Sequence, residues 1–462
     1  MPPMPPVAVS IRVLLCVAVA GSAFGSPAAE LPDLSSRAGE DWGAFLGPTG
    51  NGRSGFEGIA APWPEAGPRV VWHVPLGEGY CAPAVSRGRL VMFDRAEGRM
   101  RTRCLEAETG RLVWEESYAS DYRDTFGYDG GPRAAPVIHG DRVLTFGPEG
   151  RLECRALADG ASLWHVETSR AYHVVQNFFG VGAAPLVIDV AEGAIVVVEV
   201  GGSRPGSTPP APERLDLVKG LDSGLVAFDL ATGRERWRSS SQLASYAAPV
   251  LARLDGKPRI VAWMRDELLV VEPVSGAVLA EFRWRADELF SAVAASPVVD
   301  RGRILLSECY GPGSVLLDAE GGDLREVWRS RRPRPRTALM AHWATPILHD
   351  GHVYGASGRH AGDAVVTCVD WATGAVAWAE PGLGRASMVL VDGHLVVLGE
   401  FGELVLVRAA PDAFHEVSRA RLVGDDSMPL LAPPCWAAPI VARGLLFVRG
   451  AGRLVCVELA PR

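Results

Sequence analysis

A small-small-Pro opening followed by short β-type runs recurs at a mean spacing near 51 residues and predicts an all-β fold, a single eight-bladed β-propeller of four-stranded antiparallel blades. Two further observations agree. Gly (52) and Pro (35) are abundant enough to punctuate many short strands. The chain also ends on three strands whose missing fourth lies near its beginning, which predicts a ring closed by an N-terminal strand.

Taken in order, residues 1–25 read as a signal peptide. Arg12 is the only charge before the apolar run Val13 to Ala20, and Ala23-Phe24-Gly25 is a small-x-small cleavage pattern. The run is too short to span a bilayer, no later stretch reaches 18 uninterrupted apolar residues, and the expected location is exported, periplasmic or envelope-associated. Cys16 follows Leu15 where a lipoprotein signal wants a small residue, so lipidation is the lesser reading. Residues 26–68 form a strap rich in aromatics, Gly and Pro, expected to pack across a propeller face.

The ring is expected over 69–462. Its openings are Ala82-Pro83, Ala135-Pro136, Ala184-Pro185, Ala248-Pro249, Ser296-Pro297, Thr345-Pro346 and Ala438-Pro439, with Ser387-Met388 a degenerate copy. Residues 135–167 show one whole unit: APVIHG, RVLTFG, RLECRAL and SLWHVE, separated by Gly140-Asp141, Pro148-Glu149-Gly150 and Asp159-Gly160. A count of seven would require dissolving the poorest repeat, 387–437. The last repeat supplies AAPIVA, LLFVRG and RLVCVEL, and Val70-Val71-Trp72-His73-Val74 supplies the strand that completes it. Residues 201–220 read as an exposed insertion, and Arg331 to Arg336 (RRPRPR) as a solvated basic connection.

Composition narrows the function. The 46 basic and 54 acidic residues leave a net charge of −8 and no Lys/Arg-rich stripe, which argues against nucleic acid as a partner. Cys104, Cys154, Cys368 and Cys456 share one repeat position and are expected to be buried small side chains, since equivalent places in separate blades do not meet. Cys81 and Cys435 fall in loops of adjacent blades, where a disulfide would lock the closure seam. No Cys-x-x-Cys occurs, which removes zinc ribbons and thioredoxin-type sites.

Three blades carry a fuller motif: Cys104-Leu-Glu106-Ala-Glu-Thr109-Gly110-Arg-Leu-Val-Trp114, Ala227-Phe-Asp229-Leu-Ala-Thr232-Gly233-Arg-Glu-Arg-Trp237 and Cys368-Val-Asp370-Trp-Ala-Thr373-Gly374-Ala-Val-Ala-Trp378. With weaker copies at Gly160 to Trp164, Gly322 to Trp328, Trp72 and Trp284, this resembles the repeat of pyrroloquinoline-quinone-type propellers over roughly residues 70–462. The resemblance implies that these tryptophans dock between neighbouring blades rather than forming a cofactor box. Asp41-Trp42-Gly-Ala-Phe45-Leu-Gly47-Pro48 similarly looks like the leader of bacterial homologues of the class.

That class holds two kinds of protein. Outer-membrane-assembly propellers and many related exported proteins bind no quinone. Quinone-dependent alcohol and sugar dehydrogenases bind PQQ on Ca²⁺ in the central funnel, typically against an adjacent Cys-Cys pair and with clustered oxygen ligands. This chain has neither the adjacent cysteines nor that ligand spacing.

A binding site is sought in the loops that precede the openings, which ring geometry collects at one mouth of the channel. Three positions before each Pro, or before Met388, stand Tyr80, Arg133, Gly182, Tyr246, Ala294, Trp343, Arg385 and Trp436. The four aromatics and two arginines are the ligand-binding candidates, suited to a planar or anionic ligand. The competing reading is that the aromatics plug the channel. The alanines one position later look like pure packing. His342 and Glu308 are the nearby ionisable groups, expected to be satisfied loop residues. No catalytic or metal-ligating residue is assigned. The sequence thus favours an exported non-catalytic binding or scaffold propeller, its partner an unidentified protein or small ligand, with no confident cofactor. The alternative is a PQQ-dependent dehydrogenase.

Overall fold

The computed structural model describes residues 31–461, so the leader at 1–25 and Cys16 lie outside the described residues. Eight sheets follow one another along the chain, spanning residues 84–119, 137–167, 186–239, 250–283, 298–329, 347–381, 387–421 and 440–458. We number these blades 1 to 8. Each runs from its first strand at the channel to its last at the rim, with neighbouring strands antiparallel.

Closure occurs as the sequence predicts. Val70–Pro75 pairs antiparallel with Arg453–Glu458 and supplies the outermost strand of blade 8, with Val70 opposite Val457 and Val74 opposite Leu454. The poorest repeat is a full blade, because Ser387–Val391 forms a buried inner strand without its proline. That settles eight blades over seven. The first hairpins of several blades turn on consecutive residues with positive φ, such as Arg87-Gly88, Asp255-Gly256 and Asp350-Gly351. This is the backbone a two-residue turn needs to match strand twist.

Around the rim runs a girdle. Trp72, Trp114, Trp164, Trp237, Trp328 and Trp378 each donate their indole N–H to a carbonyl of the next blade, Ala107, Leu157, Leu230, Pro273, Trp371 and Ala410 respectively, at 2.9–3.0 Å. Under five of these indoles sits a turn glycine of the next blade. A Cβ on Gly110, Gly160, Gly233, Gly276 or Gly374 would lie 2.5–2.8 Å from ring carbons, so the Thr-Gly element is dictated by its neighbour's tryptophan. Cys104, Cys154, Cys368 and Cys456 stand directly across the strand pair from Trp114, Trp164, Trp378 and Trp72. All four are fully buried. Trp284 is not part of the girdle. It lies past the end of its strand, its carbonyl accepts from Trp263, and its own N–H is buried without a partner.

The strap does more than cross a face. Asp41 pairs with Arg443, and the amides of Leu34 and Arg443 bond the carbonyls of Arg87 and Glu40, which ties the strap to the face of the first-hairpin turns. From there it enters the channel. Trp42 exchanges backbone bonds with Val85 of blade 1, Gly43 accepts from Ile138 of blade 2, and Arg53–Ser54 adds a parallel fifth strand to Leu390 and Val391 of blade 7. Trp42 is buried beneath Gly47. The insertion at 201–220 is also more ordered than a bare excursion. It holds a short 3₁₀ turn, Arg214–Leu217, with Leu215 buried. Arg331, Arg332, Arg334 and Arg336 are exposed, as a solvated connection requires.

Candidate functional site

At the mouth opposite the strap's entry lies a cavity of about 390 Å³. All eight residues that stand three positions before the openings line it: Tyr80, Arg133, Gly182, Tyr246, Ala294, Trp343, Arg385 and Trp436. Equal offsets in a repeat have become equal depths around an axis. The alanines one position later, among them Ala134, Ala183, Ala247, Ala295 and Ala386, are buried between blades, as packing demands. One position further on, Ala82, Ala135, Ala184, Ala248 and Ala438 line the wall, and their small side chains leave the space open. Phe45, Leu46 and Gly52 of the strap also line the cavity, so the strap provides its floor.

The aromatic wall is nearly continuous. Trp436 contacts Trp343, Tyr80 and Tyr128 at centroid distances of 5.0, 4.9 and 5.8 Å. Tyr128 leads to Phe179 at 5.9 Å, Phe179 to Tyr246 at 5.6 Å, and Phe126 bridges Phe179 and Phe290. Phe126, Tyr128, Phe179 and Phe290 are absent from the sequence-derived set because they have no fixed offset from the openings. The aromatic density of Phe126-Gly-Tyr128 and Phe178-Phe179 just ahead of two openings was the available signal.

Neither arginine is a free cation. Arg133 pairs with Asp124 at 3.0 Å and lies over Tyr80 and Phe179, 5.4 and 5.0 Å from their centroids. Asp124 is further held by the amides of Phe126 and Tyr128. Arg385 forks onto Glu400, with Nε 3.0 Å from Oε1, and lies 5.0 and 4.9 Å from the centroids of Trp343 and Trp436. The Trp436 N–H donates to the same carboxylate. Burial opposes charge on Glu400, but the Arg385, backbone and Trp436 hydrogen bonds outweigh it and hold the carboxyl below its ordinary value. Each guanidinium thus faces the cavity already neutralised and already stacked.

His342 and Glu308 are only half satisfied, contrary to the sequence expectation. His342 Nε2 lies 2.9 Å from the Tyr310 hydroxyl, and its ring packs 4.3 Å from Trp343, while Nδ1 is buried with no partner. Burial, reinforced by Arg385, pushes its pKa down to about 3, so the imidazole is neutral. Glu308 accepts from the Ala286 amide through one oxygen and leaves the other unpaired; burial pushes it up to about 7. His342 lines the cavity and Glu308 does not. Their partners come from other blades' loops, which no offset in the sequence encodes.

Cys81 and Cys435 do not pair, and all seven described cysteines are free. The Cys81 thiol turns to the Phe93 carbonyl at 3.1 Å and that of Cys435 to the Ala432 carbonyl at 3.5 Å. Burial raises them to about 11 and about 12, which keeps both protonated. No Asp, Glu or Asn side chain lines the cavity. Among the described residues no group of three or more His, Cys, Asp or Glu is placed to hold a metal ion. A quinone seated on Ca²⁺ requires such oxygen donors, and these walls do not fit that group. No helix among the described residues is long and apolar enough to cross a membrane.

Comparison with solved structures places this ring among known propellers. BamB from Moraxella catarrhalis superposes with a TM-score of 0.55 at 14% identity, covering 84% of this chain and 97% of that one. The computationally designed Ika8 protein gives 0.51 at 14% identity over 84% and 99%. Quinohemoprotein alcohol dehydrogenase from Comamonas testosteroni superposes more loosely, at 0.49 and 13% identity over 91% and 81%. At these identities the likeness is one of fold. No curated protein matches the sequence. The family described as outer membrane protein assembly factor BamB, however, matches residues 63–204 and 221–379. With about two thirds of its length so matched, the chain belongs to this family of quinoprotein-like propellers.

Proposed function

We propose that the protein is an exported, non-catalytic binding propeller of the cell envelope that captures a protein partner at the mouth of its channel. One observation carries this reading: the aromatic cavity is ringed by a collar of apolar side chains left open to water. Phe126, Tyr128 and Phe290 line it and are each between 42% and 55% exposed. Clustered apolar exposure around a concavity marks an interaction site more often than a bare surface. The family's description as an outer membrane protein assembly factor supports a protein as the partner and the envelope as its location.

Site-specific photo-crosslinking in cells tests this. A photoreactive residue at Tyr128 or Phe290 is expected to give discrete adducts. The same residue at Asp255 or Asp350, on the face of the first-hairpin turns, is expected to give none. Equal labelling of both faces would overturn the assignment of the mouth. A stoichiometric quinone chromophore with dye-linked alcohol oxidation would overturn the non-catalytic reading.

A further inference from the structure

We infer that the loop Arg331 to Arg336 (RRPRPR), beside the mouth, is a second contact of the captured polypeptide and takes an acidic stretch of it, a run of Asp and Glu carboxylates. This rests on the mouth being the face that binds a protein. Three observations carry it.

Place comes first. The loop joins the rim strand Arg325–Arg329 of blade 5 to the opening Thr345-Pro346 of blade 6, and the same connection carries Trp343 into the cavity wall. Pro333 lies against Gly313, where an added Cβ would come within 2.8 Å of the proline ring. Tyr310, in the same hairpin as Gly313, lines the cavity. One hairpin thus separates the arginines from the mouth, a gap that a few residues of extended chain can cross.

Pairing comes second. The arginines that line the cavity are all answered, Arg133 by Asp124, Arg359 by Glu288 and Arg385 by Glu400. Arg331, Arg332, Arg334 and Arg336 are exposed, and their guanidiniums make no ion pair or hydrogen bond with any described residue. No Asp or Glu occurs between Glu326 and Asp350 to answer them. In a chain of net charge −8, the fold leaves this one run of positive charge unneutralised. A guanidinium fork matches a carboxylate through two parallel hydrogen bonds.

Stiffness comes third. Pro333 and Pro335 fix two backbone angles, and the Arg334 carbonyl accepts from the amides of Thr337 and Ala338. Ala338, Leu339 and Met340 are buried. Held at Pro333 and again from Ala338 onward, the loop presents its charges in order, so little backbone freedom is lost on binding. A merely solvated connection needs neither the anchors nor the like charges. An anionic lipid surface would also attract the arginines. A flat surface does not fill a concave mouth, however, whereas one polypeptide can enter the cavity and lay acids along the loop.

The test places photoreactive residues at Tyr128 and, separately, at Arg334 of the full-length protein in cells and maps the adducts by mass spectrometry. Both positions should label one polypeptide, the Arg334 adduct falling on a segment rich in Asp and Glu. Arg331→Gln, Arg332→Gln, Arg334→Gln and Arg336→Gln together should lower Tyr128 labelling about fivefold, because lost rim charge slows association. The thermal midpoint should not change, since all four side chains are exposed. Raising salt on isolated envelopes from about 0.1 M to about 1 M shortens the screening length from about 10 Å to about 3 Å. That should cost the unaltered protein a similar share of its labelling. Tyr128 adducts with none at Arg334, an Arg334 adduct on a neutral or basic segment, or labelling indifferent to the four substitutions and to salt would each overturn the inference. Lipid captured at Arg334 would overturn it in favour of a membrane surface. All of these leave the proposed function standing, whereas no adduct at either position would sink both.

Discussion

Girdle and mouth are made from the same eightfold repeat and use it in opposite ways. In the girdle, six tryptophans make one contact six times over, an indole N–H to the next blade's carbonyl, five of them resting on a turn glycine. At the mouth, eight equivalent positions hold Tyr, Arg, Gly, Tyr, Ala, Trp, Arg and Trp. A joint between identical units has one good solution, so its residues converge. A concave site facing one asymmetric guest has no reason to be symmetric, and its residues diverge. In a repeat protein, sameness marks the scaffold and variation at a fixed depth marks the site.

The strongest way to break this contrast is at the seam. An N-terminal truncation that begins at residue 76 removes Val70–Pro75 and exposes an edge of blade 8; it is expected to abolish cooperative unfolding in a calorimeter. A truncation that begins at residue 60 keeps the closing strand but removes Trp42 and the cavity floor. It should leave a folded ring of lower thermal midpoint. Equal midpoints for the two truncations would show that the seam does not close the fold.

Next in size is Gly276→Val. Its Cβ would fall 2.5 Å from the Trp237 ring at a φ of +72°, so both crowding and backbone strain oppose it. A loss on the order of 3 kcal/mol by urea denaturation is expected. A loss under about 1 kcal/mol would mean that the girdle yields more easily than its geometry implies.

Glu199 lies between the two regions, at the end of a strand in blade 3. It is fully buried, with one oxygen bonded by the Ser245 amide and the other unpaired, and burial pushes it up to about 8. Its folded value lies above the unfolded one, so its own contribution to stability is fully present below pH about 4.5. That contribution is lost towards pH 8 at up to about 1.4 kcal/mol per unit. Glu199→Gln should therefore raise the thermal midpoint increasingly from pH 5 to 8 and add nothing near pH 4. A pH-independent difference would contradict the buried, proton-bound carboxyl.

Smaller still is Trp114→Phe, which keeps the ring on Gly160 but leaves the Leu157 carbonyl without its donor; about 1–2 kcal/mol is expected. Smallest is Tyr128→Ala, whose exposed side chain should change stability by less than about 0.5 kcal/mol. The same change should remove the mouth crosslinks, and a variant that captured its partner normally would separate the collar from the function.

Much was legible in the sequence because it is written at short range. Openings, turn residues and the Thr-Gly-x-x-x-Trp spacing act within a few residues of each other, and ring symmetry then turns equal offsets into equal depths. That is why Tyr80, Arg133, Tyr246, Trp343, Arg385 and Trp436 line one cavity as read. The sequence by itself therefore determined the ring, its blade count, its closing strand and which positions face the mouth.

Only the tertiary structure decided the rest, because desolvation and pairing act between segments far apart. Asp124 and Glu400, 9 and 15 residues from their arginines, cancel charges that composition left free. Trp284 falls outside the girdle because it follows its strand rather than sitting within it. The strap goes into the channel, not merely over a face, because Arg53 finds Leu390 and Trp42 finds Val85 there. Buried backbone must be paired wherever an inner strand offers a free edge, and no local pattern in residues 41–54 names that edge.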